Sequence, residues 1–346
     1  MGAFLKNAWY AAMWSGELPD GAPEARRILD EPVVLFRDRD GAPAALEDRC
    51  CHRAAPLSLG RCVGDALECG YHGLQFDRAG KCIRIPVQDR IPDNAHVRSY
   101  PVIEKWNAVW VWMGDPAAAD EALIPDYFWM DDPNWMVTCG TIRMKGNYQL
   151  LIDNLLDFTH VTYLHRDTIA GEEREGEAPV EVERTDNSVT VSRWLLDYDP
   201  PPLFARAGGF NGKVDRWQYT RWTAPSTLAF DVGCAAAGTG APAGNRDQGI
   251  SIWSTHLITP EDETHTQYHW AYVRNFGLDD PEMTRLLHDG AKATFMEDVV
   301  MIEAQQERLG GVSIEGCMDI AADGPPLQMR RIMDTLIAAE SGDARP

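Results

Sequence analysis

One residue separates Cys50 from His52, two separate Cys69 from His72, and sixteen lie between the two pairs. Each pair offers one thiol and one imidazole. That donor set suits a [2Fe–2S] cluster in which one iron takes two thiolates and the other takes two imidazoles. Exchanging two anionic thiolates for neutral histidines reduces the negative charge around the cluster and raises its reduction potential. Each pair would sit on a tight loop between strands, where Gly70 and Gly73 let the backbone turn closely around the sulfurs. Zinc is the competing occupant, but zinc fingers group cysteines with cysteines and histidines with histidines. The C-x-H spacing selects Cys50 over its neighbour Cys51, while Cys62 and Cys82 have no histidine at usable spacing and are read as structural.

A second constellation follows a helix expected over 148–160, where Leu150, Leu151, Leu155 and Phe158 supply the apolar face. Asn154, Asp157 and His160 recur at i, i+3 and i+6 and would share the other face. His165 would lie about 140° further round an ideal helix. Both histidines can then reach one metal only if the helix breaks or bends between them, at Val161 and Thr162. Two imidazoles and one carboxylate, with open positions left for O2 and substrate, make the facial triad of ferrous oxygenases. The carboxylate must come from elsewhere. Asp298, in FMEDVVMIEA, is the first candidate and adjacent Glu297 its rival, and spacing alone does not separate them.

The elements that must position these groups fall into two sets. The first 115 residues read as short strands (32–38, 74–77, 108–115) broken by Gly and Pro, and 114–127 as a connector. After the 148–160 helix, an acidic stretch (167–185) is expected to be a mobile loop. Strands are expected at 188–196, 216–222, 227–233, 250–259 and 266–276, a long helix from Pro281 to Leu309, and a short one over 326–340. The plan is α+β in two domains, 1–115 and 116–346.

Bulk properties narrow the class. The chain has 346 residues, 45% hydrophobic, enough to bury substantial cores and against disorder. A net charge of −21 disfavours nucleic acid and anionic membrane surfaces. The N-terminal stretch has no clean apolar core of a secretory signal, so the cytoplasm is the expected location. Eight cysteines in such a chain are poor material for a disulfide framework.

The strings RCCHRAAPLSLG (49–60), CGYHGLQFD (69–77), DNLLDFTHVTYLH (153–165), DRWQ (215–218), RNFGLDD (274–280) and EDVVMIEAQ (297–305) resemble Rieske non-haem iron oxygenases. The likeness is to the group holding vanillate O-demethylase, toluenesulfonate methyl-monooxygenase and dicamba O-demethylase. It implies an N-terminal Rieske β domain followed by a helix-grip-like catalytic domain with an antiparallel sheet. It also implies Cys50, His52, Cys69 and His72 as cluster ligands and His160, His165 and Asp298 as ligands of a catalytic Fe(2+). Asp157 would bridge the two metal centres between subunits of a head-to-tail homotrimer, with Asn154 among the catalytic residues. Positions near Ala229 and Asp289 depart from the dicamba enzyme's pattern, which speaks against that herbicide as substrate.

The implied activity is that of a monooxygenase component using O2 and electrons from NADH through a separate reductase, acting on a methoxy or methyl group of an aromatic acid. The glycine-rich GTGAPAG (238–244) is interrupted by Pro242 and precedes no helix, so this chain carries no nucleotide site of its own. His256, Arg216 and Arg221 are expected to hold a carboxylate or sulfonate and Trp253 to form an aromatic wall. The alternatives are a cis-dihydroxylating dioxygenase, a pure electron carrier and a zinc-stabilised binding protein.

Overall fold

The computed structural model describes residues 4–166, 169, 178–310 and 316–342. Two compact units result. One takes the chain up to Pro125 together with Thr259–Glu263, the other Asp126–Ile258 and the chain from Thr264 onward. The chain leaves the first unit later than the expected 115/116 boundary because the connector is tied down: Trp9 Nε1–H donates to the Asp120 carbonyl (2.8 Å) and Lys105 pairs with Glu121 (2.9 Å).

The first unit is all β. Strand β1 (Trp9–Trp14) pairs with β11 (Ala108–Trp112), which also pairs with β10 (Val102–Lys105), and every residue of β1 and β11 is buried. A second sheet runs β2 (Glu24–Ile28), β3 (Glu31–Arg37), β4 (Pro43–Glu47) and β9 (Ser99–Tyr100). A third runs β5 (Arg61–Val63), β6 (Ala66–Glu68), β7 (Gln75–Phe76) and β8 (Cys82–Arg84). Phe36, Leu46, Leu57, Leu67 and Phe76 form a core that also takes in Cys50 and Cys69.

The second unit is built on one seven-stranded antiparallel sheet, ordered β12 (Met136–Met144), β18 (Thr266–Arg274), β17 (Ile250–Pro260), β16 (Thr227–Ala236), β15 (Val214–Thr223), β14 (Ser188–Tyr198) and β13 (Glu181–Arg184). Two strands were not expected. β12 has few apolar residues in clean alternation and gains its place by pairing along all of β18. β13 lies inside the expected 167–185 loop, of which 167–168 and 170–177 lie outside the described residues.

Cross-strand register sorts the side chains. Val189, Trp222, Leu228 and His256 stand opposite one another and share a face, as do Arg193 and Gln218. That face carries the helices: α1 (Tyr148–Leu156) against β15, α4 (Pro281–Leu309) against β12 and β18, and α5 (Gly324–Ser341) against β14. Asp280 caps α4 by accepting the N–H of Glu282 and Met283 at 3.0 and 2.9 Å, with Pro281 in the first turn. The opposite face carries Trp194, Trp217 and Tyr219, over which the Arg246 guanidinium lies, 4.8 to 5.3 Å from the ring centroids, while pairing with Asp231 at 2.7 Å.

Gly233 stands directly across from Trp217, whose indole N–H donates to Asp231 at 2.8 Å. A Cβ on Gly233 would come within 2.2 Å of the indole and 2.4 Å of the Ile250 carbonyl oxygen. Gly233→Ala is therefore expected to cost about 1–3 kcal/mol. Gly212→Ala, where an added Cβ meets nothing within 4 Å, should stay within about 0.5 kcal/mol of the parent. Urea unfolding of the two variants checks the difference.

Candidate metal centres

The two Cys/His loops share one backbone design. In the loop after β4, Cys50 N–H donates to the Ala55 carbonyl (2.8 Å) and Ala54 N–H donates to the Cys50 carbonyl (2.9 Å). In the loop after β6, Cys69 N–H donates to Leu74 (2.8 Å) and Gly73 N–H to Cys69 (3.0 Å). In both, the fourth residue after the cysteine is left-handed, at φ 55° for Ala54 and 70° for Gly73, the conformation glycine adopts at no steric cost. The matched turns bring the two cysteines together in the core while His52 and His72 stand exposed, their ring centroids 4.6 Å apart. Burial pushes the Cys50 thiol up to about 11, opposed by the His52 backbone N–H and reinforced by the neighbouring Cys69 sulfur. Such a buried thiol becomes thiolate only against a strong cation. Two adjacent buried thiols below two paired surface imidazoles fit a [2Fe–2S] group of mixed ligation. Cys51 is exposed, outside the buried pair.

The second cluster lies in the other unit, with His165 and Asp298 buried and His160 partly exposed. α1 ends at Leu156, where Asp157 turns extended (φ −103°, ψ 121°), and a short helix α2 (Val161–Leu164) follows with His160 at its N-terminal cap and His165 at its C-terminal cap. The helix thus breaks before His160, not between the histidines as expected, and Asn154, Asp157 and His160 do not lie on one continuous helix. The break is stabilised locally: Asp157 accepts the Thr159 N–H (2.7 Å) and hydroxyl (3.0 Å). Side chains of α4 fix the entry to α1, Glu303 and Gln306 accepting the N–H of Lys145 and Asn147, each at 2.8 Å.

One ligand atom from each of His160, His165 and Asp298 can be chosen so that all three lie within 4.8 Å of one another. The closest approaches are His165 Nε2 to Asp298 Oδ1 at 3.1 Å, His160 Nε2 to His165 Nε2 at 3.2 Å and His160 Nε2 to Asp298 Oδ1 at 3.5 Å. Asn154 Nδ2 donates to Asp298 Oδ1 at 3.0 Å. Burial lowers the pKa of His160, whereas Asp298 and Glu297 outweigh burial at His165 and raise it. Two imidazoles and one carboxylate around a common point fit a ferrous ion. Glu297 points instead to the far side of His165, its Oε2 2.7 Å from Nδ1. The backbone, not the spacing, separates the two rival acids.

The expected substrate residues do not converge. His256 is fully buried on the helix-covered face, against Phe230, Tyr268 and Phe295 at ring-centroid distances of 4.4, 5.7 and 5.4 Å. Phe295 precedes Asp298 by one turn of α4. Trp253 and Arg221 project from the opposite face; Trp253 stacks on Trp129 at 3.8 Å and Arg221 is exposed. Arg216 shares the face of His256 but six residues along the strand, roughly 20 Å away, over the ring of Phe204. Strand parity was readable, but which face would be covered was not. Sequence reasoning missed Phe230, Tyr268 and Phe295, ordinary strand and helix aromatics until the fold gathers them.

His256 keeps one polar atom without a partner. Its Nδ1 lies 2.6 Å from the Tyr268 hydroxyl, while buried Nε2 meets none. Burial pushes its pKa down to about 3 and holds the Tyr268 phenol well above its usual range, so the imidazole is neutral and the phenol protonated. In the tautomer in which the phenol donates to Nδ1, the ring's own proton sits on Nε2.

Residues 8–101 match the Rieske [2Fe-2S] domain family and residues 144–339 the vanillate O-demethylase oxygenase C-terminal domain family. The toluene-4-sulfonate monooxygenase system iron-sulfur subunit of Comamonas testosteroni is 43% identical, over 99% of this chain and 100% of that one. The dicamba O-demethylase oxygenase component of Stenotrophomonas maltophilia is 39% identical, over 90% and 91%. The crystal structure of dicamba monooxygenase bound to dicamba superposes with a TM-score of 0.90 at 36% identity, covering 99% of this chain and 100% of that one. Paired Cys/His loops in one unit, a His/His/Asp cluster in the other and likeness along the whole length have one source: the chain belongs to the Rieske non-haem iron oxygenases and is the oxygenase component of a monooxygenase.

Proposed function

We propose that this enzyme hydroxylates a methyl or methoxy carbon of a small aromatic carboxylate or sulfonate, releasing formaldehyde when the carbon is a methoxy group. The observation that carries the substrate class is the unpartnered Nε2 of neutral, fully buried His256, set among the rings of Phe230, Tyr268 and Phe295, the last of these one turn of α4 before Asp298. Aromatic walls favour a flat ring, and a buried N–H with no acceptor favours a ligand that brings an oxygen anion. The relatives agree in kind, being named for toluene-4-sulfonate, vanillate and dicamba.

Within this reading Cys50 and Cys69 would hold one iron of the cluster, His52 and His72 the other, and His160, His165 and Asp298 the catalytic iron. When bound, the cluster supplies single electrons and the ferrous ion a place to activate O2. The chain's own groups do the positioning. Asn154 holds Asp298 through its Nδ2–H. Asp157, its Oδ2 3.9 Å from His160 Nδ1 and not hydrogen-bonded to it within one copy, is the acid that would link that imidazole to His72 of the neighbouring copy in a head-to-tail homotrimer. His256 orients the substrate anion so that the opposite end of the ring faces the iron. Electrons come from NADH through a separate reductase, and the cytoplasm is where the enzyme works.

Three measurements test these assignments. Cys50→Ser or Cys69→Ser should abolish the visible absorbance and acid-labile sulfide of the cluster, and Cys51→Ser should retain both. With a surrogate reductase, NADH and ¹⁸O2, methoxy- and methyl-substituted benzoates and sulfonates should yield a phenol plus formaldehyde or a singly labelled benzylic alcohol, whereas a doubly labelled diol would refute monooxygenation. On the preferred substrate His256→Leu should raise KM roughly 10- to 100-fold, the worth of one hydrogen bond to a charged group, with iron content unchanged.

A further inference from the structure

Neighbouring residues on a helix point about 100° apart, yet Glu297 and Asp298 of α4 both reach His165, from opposite sides of its ring. Asp298 Oδ1 stands 3.1 Å from Nε2 and Glu297 Oε2 stands 2.7 Å from Nδ1. The longer side chain passes round the imidazole and the shorter one stops at its inner edge. His165 is 2% exposed, so no bulk water competes for Nδ1. The other imidazole is held quite differently. His160 Nδ1 is buried without a hydrogen-bond partner, and the nearest acid, Asp157, is 3.9 Å away.

We propose that Glu297 is a positioning residue for the iron: it accepts the Nδ1–H of His165, fixes the tautomer that leaves the Nε2 lone pair directed at the metal, and strengthens that nitrogen as a donor. The proposal rests on His160, His165 and Asp298 being the iron ligands. It makes the site asymmetric, with His165 locked by the chain's own carboxylate and His160 free to change its hydrogen bonding without loosening its partner ligand.

Protein retaining its cluster but stripped of mononuclear iron is titrated anaerobically with Co(2+), read by visible absorption, for the parent, D298A, E297A and E297Q. The unfolding temperature before metal addition and the cluster spectrum serve as controls. E297A is expected to bind Co(2+) roughly 10- to 100-fold more weakly than the parent. E297Q should recover most of that loss, because its amide oxygen still accepts the Nδ1–H. Parent-like affinity in E297A alongside a large loss in D298A would overturn the role of Glu297. Parent-like affinity in D298A would instead overturn the ligand assignment on which it rests.

Discussion

A carboxylate as deeply buried as that of Asp298 must be met by donors or by a cation, since an uncompensated charge in the interior is strongly disfavoured. Much of the second unit can be traced to that requirement. Asn154 reaches Asp298 from α1 and the two imidazole nitrogens reach it through α2, so these helices have to lie against α4. α1 is in turn fixed to α5 by Arg330, which donates through Nη2 and Nε to Asp153. α5 packs on β14, and the sheet becomes the common floor. Removing the partners of one carboxylate would therefore be felt along a chain of helices.

The first unit solves the corresponding problem with backbone instead of helices. Two loops of equal design place two sulfurs inside a core of Phe36, Leu67 and Phe76 and leave two imidazoles outside it. The asymmetry is thermodynamic as well as geometric. The Cys50 thiol is held in a medium that penalises its thiolate, so only a strong cation can claim it, while the imidazoles remain at the surface. Ala54 takes the same left-handed conformation as Gly73 without glycine's freedom, a modest strain tolerated where the loop's hydrogen bonds demand that turn.

How much of this could be read in the sequence depended on distance along the chain. The Cys50–His52 and Cys69–His72 pairs were legible because each pair is a local arrangement. The long α4 was legible from Asp280 and Pro281 at its start. Choosing Asp298 over Glu297 was not, since adjacent acids differ only in which way a helix packed elsewhere happens to turn them. Arg216, Arg221 and Trp253 failed to join His256 for a similar reason: alternation assigns strand residues to two faces but does not say which one the helices will cover. β12 escaped notice because an edge strand with polar, half-exposed positions has little apolar signature of its own.

The four residues of α2 carry a consequence for how such an enzyme can diversify. Both imidazoles are fixed to the ends of one helical turn, so an inserted or deleted residue between His160 and His165 would rotate one of them out of register. The third ligand is different: Asp298 arrives by tertiary packing, and the long span before it includes surface connections such as that between β16 and β17. Length variation there leaves the meeting of His160, His165 and Asp298 unaltered, because that connection lies at the Cys234–Ile250 end of the strands, away from Leu228 and His256. Two of the three clustered groups are thus tied to each other by local chain length, while the third tolerates change anywhere in the chain that leaves the packing of α4 intact.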